Sequence, residues 1–449
     1  MPVIHAAAAL TPEGWKADAR LTVDGATIAA VETGVTPRTG DERCAILVPA
    51  LSDLHSHAFQ RGMAGLAERR GDETDTFWTW REAMYRFALA MSPDDVEAVA
   101  AQLYVEMLEA GFAAVGEFHY LHNAPDGARY SAPAEMAMRI VAAAQATGIG
   151  LTLLPVFYAH ATFGGAPPKP EQRRFIVDLD SFARLVDDCR ALMAGLGPVG
   201  VAPHSLRAAT PAEIAAIVAL ANDDPIHIHA AEQVKEVEDC LAWSGKRPVE
   251  WLLDHANVDA RWCLVHATHM TDEETRRLAL SGAVAGLCPT TEASLGDGIF
   301  NAPLYLSERG AFGVGSDSNV EIGVAAELGQ LEYAQRLSAR LRNVCALSAG
   351  STGRSLYERA LAGGAQALKR RSGALSPGAA ADLVSLRAGH STLAGRSGDE
   401  ILDAWIFAVG NPLIDCVWSG GRKLVVDGRH VAREPIAARY AAAMRRLVR

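Results

Sequence analysis

The apolar run that ends in "PALSDLHSH" carries two histidines one residue apart, His55 and His57. Side chains two apart on a strand share a face, so both imidazoles can reach one cation at about 2.0–2.1 Å. Taken alone, an H-x-H pair reads as readily as two hydrogen-bonded core histidines. Three further apolar runs finish in the same manner: "HIHAAE" brings His229 and, three residues on, Glu232; "LVHATH" brings His266; "GVGSDSN" brings Asp317. Satisfied core histidines have no reason to fall at the same end of every run. The pattern therefore predicts a metal site assembled from strand ends.

Such groups converge only if the strands that carry them lie side by side. From about residue 46 the chain alternates apolar runs with amphipathic segments, the runs being "AILVPALSDLHSH", "AAVGEFHY", "GLTLLPVFYAH", "VGVAPHSLR", "PIHIHAAE", "WCLVHATH", "AVAGLCPTTE" and "FGVGSDSN". Helix starts between them are well marked: Ser92-Pro93-Asp94-Asp95 opens a segment closed by Gly111, and Thr210 with Glu213 and Thr271 with Glu274 have capping-box spacing. Eight strands alternating with helices predict an α/β architecture, a (β/α)8 TIM barrel over residues 46–375. No GxGxxG follows the first strand to favour a dinucleotide-binding sheet. Barrel active sites occupy the C-terminal ends of the strands, where the histidines fall. Residues 1–45 and 376–449 have a different texture, with short alternating runs such as "RLTVDGATIAAVETG" and "VWSGGRKLVVDGRHV" between Gly, Asp and Pro turns. These segments are expected to pair into one small β-sandwich domain, followed by a C-terminal helix. The Pro-rich stretch from Phe163 to Phe175 reads as a surface connection, a lid over the site being the alternative.

Composition narrows the partners. A chain of 449 residues with 49% hydrophobic content can bury a large core. The net charge is −11, and basic runs are limited to pairs such as Arg173-Arg174 and the short run Lys369-Arg370-Arg371, which excludes an electrostatic footprint for nucleic acid. An anionic substrate must then be met by individually placed arginines. No basic leader precedes an apolar segment, and no window approaches the ~20 apolar residues of a membrane helix, so a cytoplasmic protein is expected. The cysteines at 44, 189, 240, 263, 288, 345 and 416 lack any CxxC pair and read as reduced, mostly buried thiols.

Together with the tail "GALSPGAAADLVSLR", these motifs resemble the amidohydrolase superfamily of metal-dependent barrel hydrolases over nearly the whole chain. The resemblance implies His55, His57, His229 and Asp317 as metal ligands. Binuclear members bridge two ions with a carbamylated lysine at the end of strand four. Here that strand, "VGVAPHSLR", has no lysine, and Glu232 follows His229 in the H-x-x-E spacing of the mononuclear deaminase branch. One ion per chain follows; zinc suits the ligand types, with Fe2+ and Mn2+ left open. A divalent ion would lower the pKa of a water to about 7. Asp317 is then both ligand and proton acceptor, His266 stabilises or deprotonates the water, and Glu232 carries a proton to the departing nitrogen. His227, one layer deeper than His229, reads as structural or supporting, and His269, a turn beyond strand six, as surface or rim.

The stretches "HSHAFQRGMAGLAE", "DTFWTWREAMYR", "VGEFHYLHN" and "APHSLRA" are similar, motif by motif, to the formimidoylglutamate deiminase family, and more so than to guanine, cytosine or adenosylhomocysteine deaminases. That likeness implies hydrolysis of an amidine on a small dicarboxylate with loss of ammonia, and Gln60, Arg81, Tyr120, His204 and Arg207 as the substrate-binding set. Two arginines suit two carboxylates, because a guanidinium fork binds a carboxylate bidentately. For Arg81, among Phe77, Trp78 and Trp80, the alternative is a cation–π stack; for Arg207 it is a salt bridge at the rim. Competing readings are an aromatic-base deaminase or imidazolonepropionase and, in another class, a non-catalytic barrel scaffold. The resemblance and the chain length also imply a homodimer. Because strand four offers no bridging lysine, the purified protein is expected to hold about one tightly bound divalent ion per chain. Elemental analysis of fully active protein that returns two stoichiometric ions contradicts this.

Overall fold

The computed structural model describes residues 1–70, 75–346 and 348–448. The barrel strands are β1 (Leu51–Ser56), β2 (Phe112–His119), β3 (Gly150–Phe157), β4 (Ala202–Pro203), β5 (Ile226–Ala230), β6 (Trp262–His266), β7 (Val284–Leu287) and β8 (Ala311–Val314). Every neighbouring pair is parallel. Single bridges join the remaining edges: Val201 and Ser205 to Ile226 and His229 between β4 and β5, and Ser56 to Asp317 between β8 and β1. All residues of these strands are buried except Gly150 and Ala311, which are partly so. Burial on both faces explains why they read as continuous apolar runs rather than alternating ones.

The helices start where the capping chemistry directs. Ser92 and Asp95 form a reciprocal box ahead of Pro93–Glu109, with Pro93 in the first turn. Thr210 with Glu213 and Thr271 with Glu274 do the same for Pro211–Ala221 and Asp272–Ser281. Two glycines are required by close approach. A Cβ at Gly315 would fall 2.6 Å from the His55 carbonyl oxygen and 2.8 Å from its nitrogen, so only glycine lets the chain after β8 lie against β1. A Cβ at Gly363, on the helix Thr352–Ala367, would fall 1.9 Å from the Phe312 carbonyl oxygen, so that helix packs directly on the β8 backbone.

The terminal segments form one continuous eight-stranded sheet in the order Arg429–His430, Arg422–Val426, Ile414–Ser419, Leu383–Leu386, Glu42–Pro49, Val3–Thr11, Gly14–Asp24, Thr27–Glu32. It curls until Thr27 bridges Ala380, and encloses a core of its own that includes Ile4, Leu21, Ile28, Leu47, Leu383 and Trp418. Its strand Glu42–Pro49 crosses the boundary expected at residue 45. The run "AILVPALSDLHSH" reads as one strand but is the end of this sheet strand followed by β1, separated at Ala50, whose N–H donates to the Asp382 carbonyl (2.9 Å). Both cores are apolar, so the hydrophobic pattern carries no mark of the change. The C-terminal helix Arg433–Leu447 leaves the sheet and packs on Pro93–Glu109, with Arg439 Nη2 2.6 Å from Glu97 Oε1 and further pairs Arg433–Glu109 and Arg446–Asp95. All seven cysteines are free, and all but Cys44 are buried. Among the described residues, no helix is long and apolar enough to cross a membrane.

Candidate active site

At the seam between β8 and β1 the Asp317 N–H donates to the His55 carbonyl (2.9 Å), and the His57 N–H donates to the Asp317 carbonyl (3.0 Å). These bonds bring the side chains of His55, His57 and Asp317 together, and β5 adds His229. His55 Nε2 lies 3.2 Å from His57 Nε2, 3.1 Å from His229 Nε2 and 3.5 Å from Asp317 Oδ1; His57 Nε2 lies 3.2 Å from the same carboxylate oxygen. All four donor atoms fall within 4.8 Å of one another and all four residues are buried. The Nδ1 atoms of His57 and His229 each lie 3.0 Å from a backbone carbonyl, of Phe118 and His204. Each therefore donates from Nδ1 and leaves its Nε2 lone pair facing the others. Burial pushes His55 down to about 3, and holds His57 and His229 below the usual histidine range, so these rings are neutral. Converging lone pairs beside a carboxylate repel one another without a cation. The donor set thus fits one divalent ion with room for a further ligand.

The seam is tied from several sides. Asp53 accepts from the Ser316 N–H (3.1 Å) and hydroxyl (2.5 Å), and the Asn319 amide donates to the carbonyls of His57 (3.1 Å) and Asp317 (2.9 Å). Asp317 and His266 are held at φ of 47° and 66°, in the left-handed region. Such residues cost on the order of 1–3 kcal/mol each and persist where their surroundings fix them.

Glu232 and His266 stand beside the ligands. Glu232 Oε1 is 3.7 Å from His266 Nε2, which is 3.9 Å from Asp317 Oδ2. These gaps are too long for direct hydrogen bonds and short enough for one oxygen atom to bridge. Burial disfavours a charged His266, but Glu232, Glu292 and Asp317 outweigh it and carry the ring well above its ordinary value. For Glu232, burial raises the proton affinity against the opposing pull of His266 and Arg207.

Three carboxylates that sequence reasoning missed hold this geometry. Glu292 Oε1 lies 3.3 Å from His266 Nδ1 and accepts the Cys288 N–H (2.9 Å). Its signal was a carboxylate closing the seventh run, "AGLCPTTE". Glu236 accepts the N–H groups of Ala231 (3.3 Å) and Glu232 (3.1 Å), fixing the turn that presents Glu232; four residues after Glu232, it reads as an ordinary helix-start acid. Glu117, the one charge inside "AAVGEFHY", accepts the Ala58 N–H (2.7 Å) and so anchors the turn Ala58–Met63 that carries Gln60. Burial pushes its carboxyl up to about 8.

A pocket opens onto these groups, and Gln60, Arg81, Tyr120, His204 and Arg207 all line it alongside His57, His229, Glu232, His266 and Asp317. Gln60 donates to the Tyr120 hydroxyl (2.8 Å), and its own carbonyl oxygen is buried without a partner. Arg207 is buried rather than at the rim: Nη2 is 3.7 Å from Glu232 and 3.9 Å from Glu236, and its buried Nε has no acceptor among the described residues. Its charge is balanced while its directional donors remain available. Arg81 lies 4.6 Å from the Trp78 ring centroid and 5.5 Å from that of Tyr85, so the cation–π stack exists and still faces the pocket. His227 is deep in the barrel, with Nε2 2.8 Å from the Ala367 carbonyl, and the half-buried His269 lies 2.8 Å from the Asp297 carbonyl.

The stretch from Phe163 to Phe175 divides. Its first half follows the surface, with Phe163 stacked on Trp243 (5.5 Å), whereas its end turns inward from Gln172 and reaches the pocket at Phe175. Gln172 donates to the Tyr158 hydroxyl (2.7 Å), Phe175 lines the pocket, and Arg174 is fully buried, donating to the carbonyls of Asn123 (2.8 Å), Ala88 (2.5 Å) and Met91 (2.8 Å). The surface reading fails there because carbonyl acceptors in the interior satisfy a charge that sequence places outside.

Residues 46–424 match the model of the amidohydrolase family, and residues 1–45 match that described as formimidoylglutamate deiminase HutF, N-terminal domain. A formimidoylglutamate deiminase of Pseudomonas aeruginosa is 49% identical over 98% of each chain. The crystal structure of an amidohydrolase from Brucella melitensis shares 55% identity and superposes with a TM-score of 0.97 over 100% of both chains. Fold alone is shared with an atrazine chlorohydrolase from Arthrobacter aurescens complexed with zinc, at 22% identity and a TM-score of 0.85 over 99% of this chain and 100% of that one. The chain belongs to the amidohydrolase family and, within it, to the formimidoylglutamate deiminases.

Proposed function

We propose that the protein hydrolyses N-formimidoyl-L-glutamate to N-formyl-L-glutamate and ammonia, a step of histidine degradation. The observation that carries this reading is Arg207, a buried guanidinium whose Nε has no hydrogen-bond partner among the described residues and whose Nη2 stands 3.7 Å from the acid-base carboxylate Glu232. A substrate carboxylate supplies the missing acceptors, and the half-buried Arg81, which lines the same pocket, takes the second. Gln60, Tyr120 and His204 add polar contacts that fix the chain between them.

His55, His57, His229 and Asp317 would hold one divalent ion, zinc being our choice for this donor set, and that ion would lower the pKa of a water to about 7. His266, with a carboxylate facing each ring nitrogen, offers N–H and positive charge to the attacking oxygen. Glu232 takes a proton from the water and returns it to the amidine nitrogen. The remaining hydroxyl proton of the tetrahedral centre passes by way of Asp317 to the same nitrogen as the C–N bond breaks, so ammonia leaves and the former water oxygen becomes the formyl oxygen. Asp317, held low by its histidine neighbours against burial, remains a carboxylate and accepts a proton only transiently.

An aromatic-base deaminase is the second reading, because Phe77, Trp80, Tyr85 and Tyr158 also line the pocket and could stack a ring. A neutral base, however, leaves the Arg207 donors without acceptors in a buried site. A non-catalytic scaffold has no use for Glu232, Glu292 and His266 arranged around one point.

Ammonia release should be faster from formimidoylglutamate than from guanine, cytosine, S-adenosylhomocysteine or 4-imidazolone-5-propionate; a preference for any of these overturns the assignment. Arg207→Met should lower kcat/KM by roughly 30- to 4,000-fold, corresponding to about 2–5 kcal/mol for a lost charge-assisted pair, with metal content unchanged. Because Arg207 also adjoins Glu232, the deciding comparison uses formimidoyl-4-aminobutyrate and formimidoyl-2-aminobutyrate, each lacking one carboxylate. The variant should add little further loss with one of them, and an equal loss with all three substrates shows that Arg207 does not read a carboxylate.

Glu232→Gln should retain the metal while losing roughly 10²–10⁴-fold in kcat, the range for a general acid-base group. Near-normal turnover by metal-replete Glu232→Gln contradicts the proton-transfer role.

A further inference from the structure

Cys288 follows β7 directly and takes no part in the reaction derived above. Its side chain is fully buried, and among the described residues its sulfur reaches hydrogen-bond distance only of the Gly286 carbonyl, at 4.0 Å, the outer limit of a weak S–H contact. A ring nitrogen of His266, the Cys288 sulfur and a carboxylate oxygen of Asp317 all lie within 4.8 Å of one another. Among the described residues this is the second of two such metal-competent groups, and it shares Asp317 with the first. The trio is also held in place: Glu292 fixes His266 from Nδ1 and accepts the Cys288 backbone N–H, while the seam bonds fix Asp317.

We propose that His266, Cys288 and Asp317 form a second, inhibitory site for a soft or borderline divalent cation such as zinc or cadmium. Thiolate and imidazole donors select such ions over Mg2+ or Ca2+, which prefer oxygen. As the bonds form, the thiol and the His266 ring each release a proton to solvent, and the Asp317 carboxylate is shared between the two sites. Occupation takes the His266 lone pair, so the ring can no longer present an N–H to the attacking oxygen, and turnover stops. One ligand is shared and a second cation must enter beside the first, which makes this the weaker site. The enzyme is then active with one equivalent of zinc and inhibited by excess, whereas excess Mg2+ has no effect. The inference rests on the metal reading of the first site, but its readout does not depend on the substrate.

The test is a cadmium titration of the metal-depleted full chain, followed by thiolate-to-cadmium charge-transfer absorption in the ultraviolet. The first equivalent, on histidines and a carboxylate, should bind without the band; further cadmium should raise it. Cys288→Ala should keep the silent first equivalent and lose the band. It should also shift inhibition by excess zinc to concentrations higher by at least roughly 10–100-fold, the loss seen when a supporting partner of a metal ligand is removed. Cys288→Ser, which keeps the volume but replaces the soft donor, provides the same comparison if the alanine variant does not fold. A wild-type titration without a band, a band that survives in both variants, or unchanged zinc inhibition overturns the proposal. Absence of a silent first equivalent overturns the metal reading of the first site instead.

Discussion

Two backbone hydrogen bonds, from Asp317 to His55 and from His57 to Asp317, join the last strand of the barrel to the first. The same bonds set three of the four metal donors. The fourth, His229, is fixed at the other irregular junction, where its N–H and Nδ1 both face the His204 carbonyl at 3.1 and 3.0 Å. Ladder pairing is reduced to single bridges at these two junctions, so the backbone there is free to turn side chains towards the axis. What pairing gives up is replaced by side chains: Asp53 on Ser316, Asn319 across both strands, and a glycine at 315 where any Cβ would strike His55.

Their neighbours then divide the buried histidines into two chemical kinds. Rings that face carbonyls and other rings are held neutral, the form that ligates metal, while His266, set among Glu232, Glu292 and Asp317, is held protonated. In a low-dielectric interior the difference comes from which groups are near rather than from exposure, since all these residues are buried. Arg207 follows the same logic, with its charge balanced by Glu232 and Glu236 and its directional donors left for a ligand.

The ligand histidines were legible because strand periodicity and the polarity of a barrel both act on neighbouring residues: H-x-H fixes a face, and the end of an apolar run fixes the rim. Glu232 was legible only through its spacing from His229. Glu236 and Glu292 serve through contacts with residues on other turns and strands, so spacing alone gave them no role distinct from that of ordinary surface acids. The passage from the terminal sheet into β1 was hidden because both sides of Ala50 are buried in apolar cores. Arg174 was hidden for the opposite reason: three interior carbonyls from distant segments satisfy it, and nothing adjacent in sequence announces them.

If closing the seam and assembling the metal site are one event, the amides of His57 and Asp317 report metal binding directly. Their hydrogen exchange should slow together when the metal is restored, by a factor that follows 1 + [M]/Kd for a ligand that binds only the closed state. Amides of the terminal sheet that exchange by local fluctuation should not respond. Exchange at His57 and Asp317 that is the same with and without metal would contradict the account, because it would mean that the seam closes independently of the site it is argued to build.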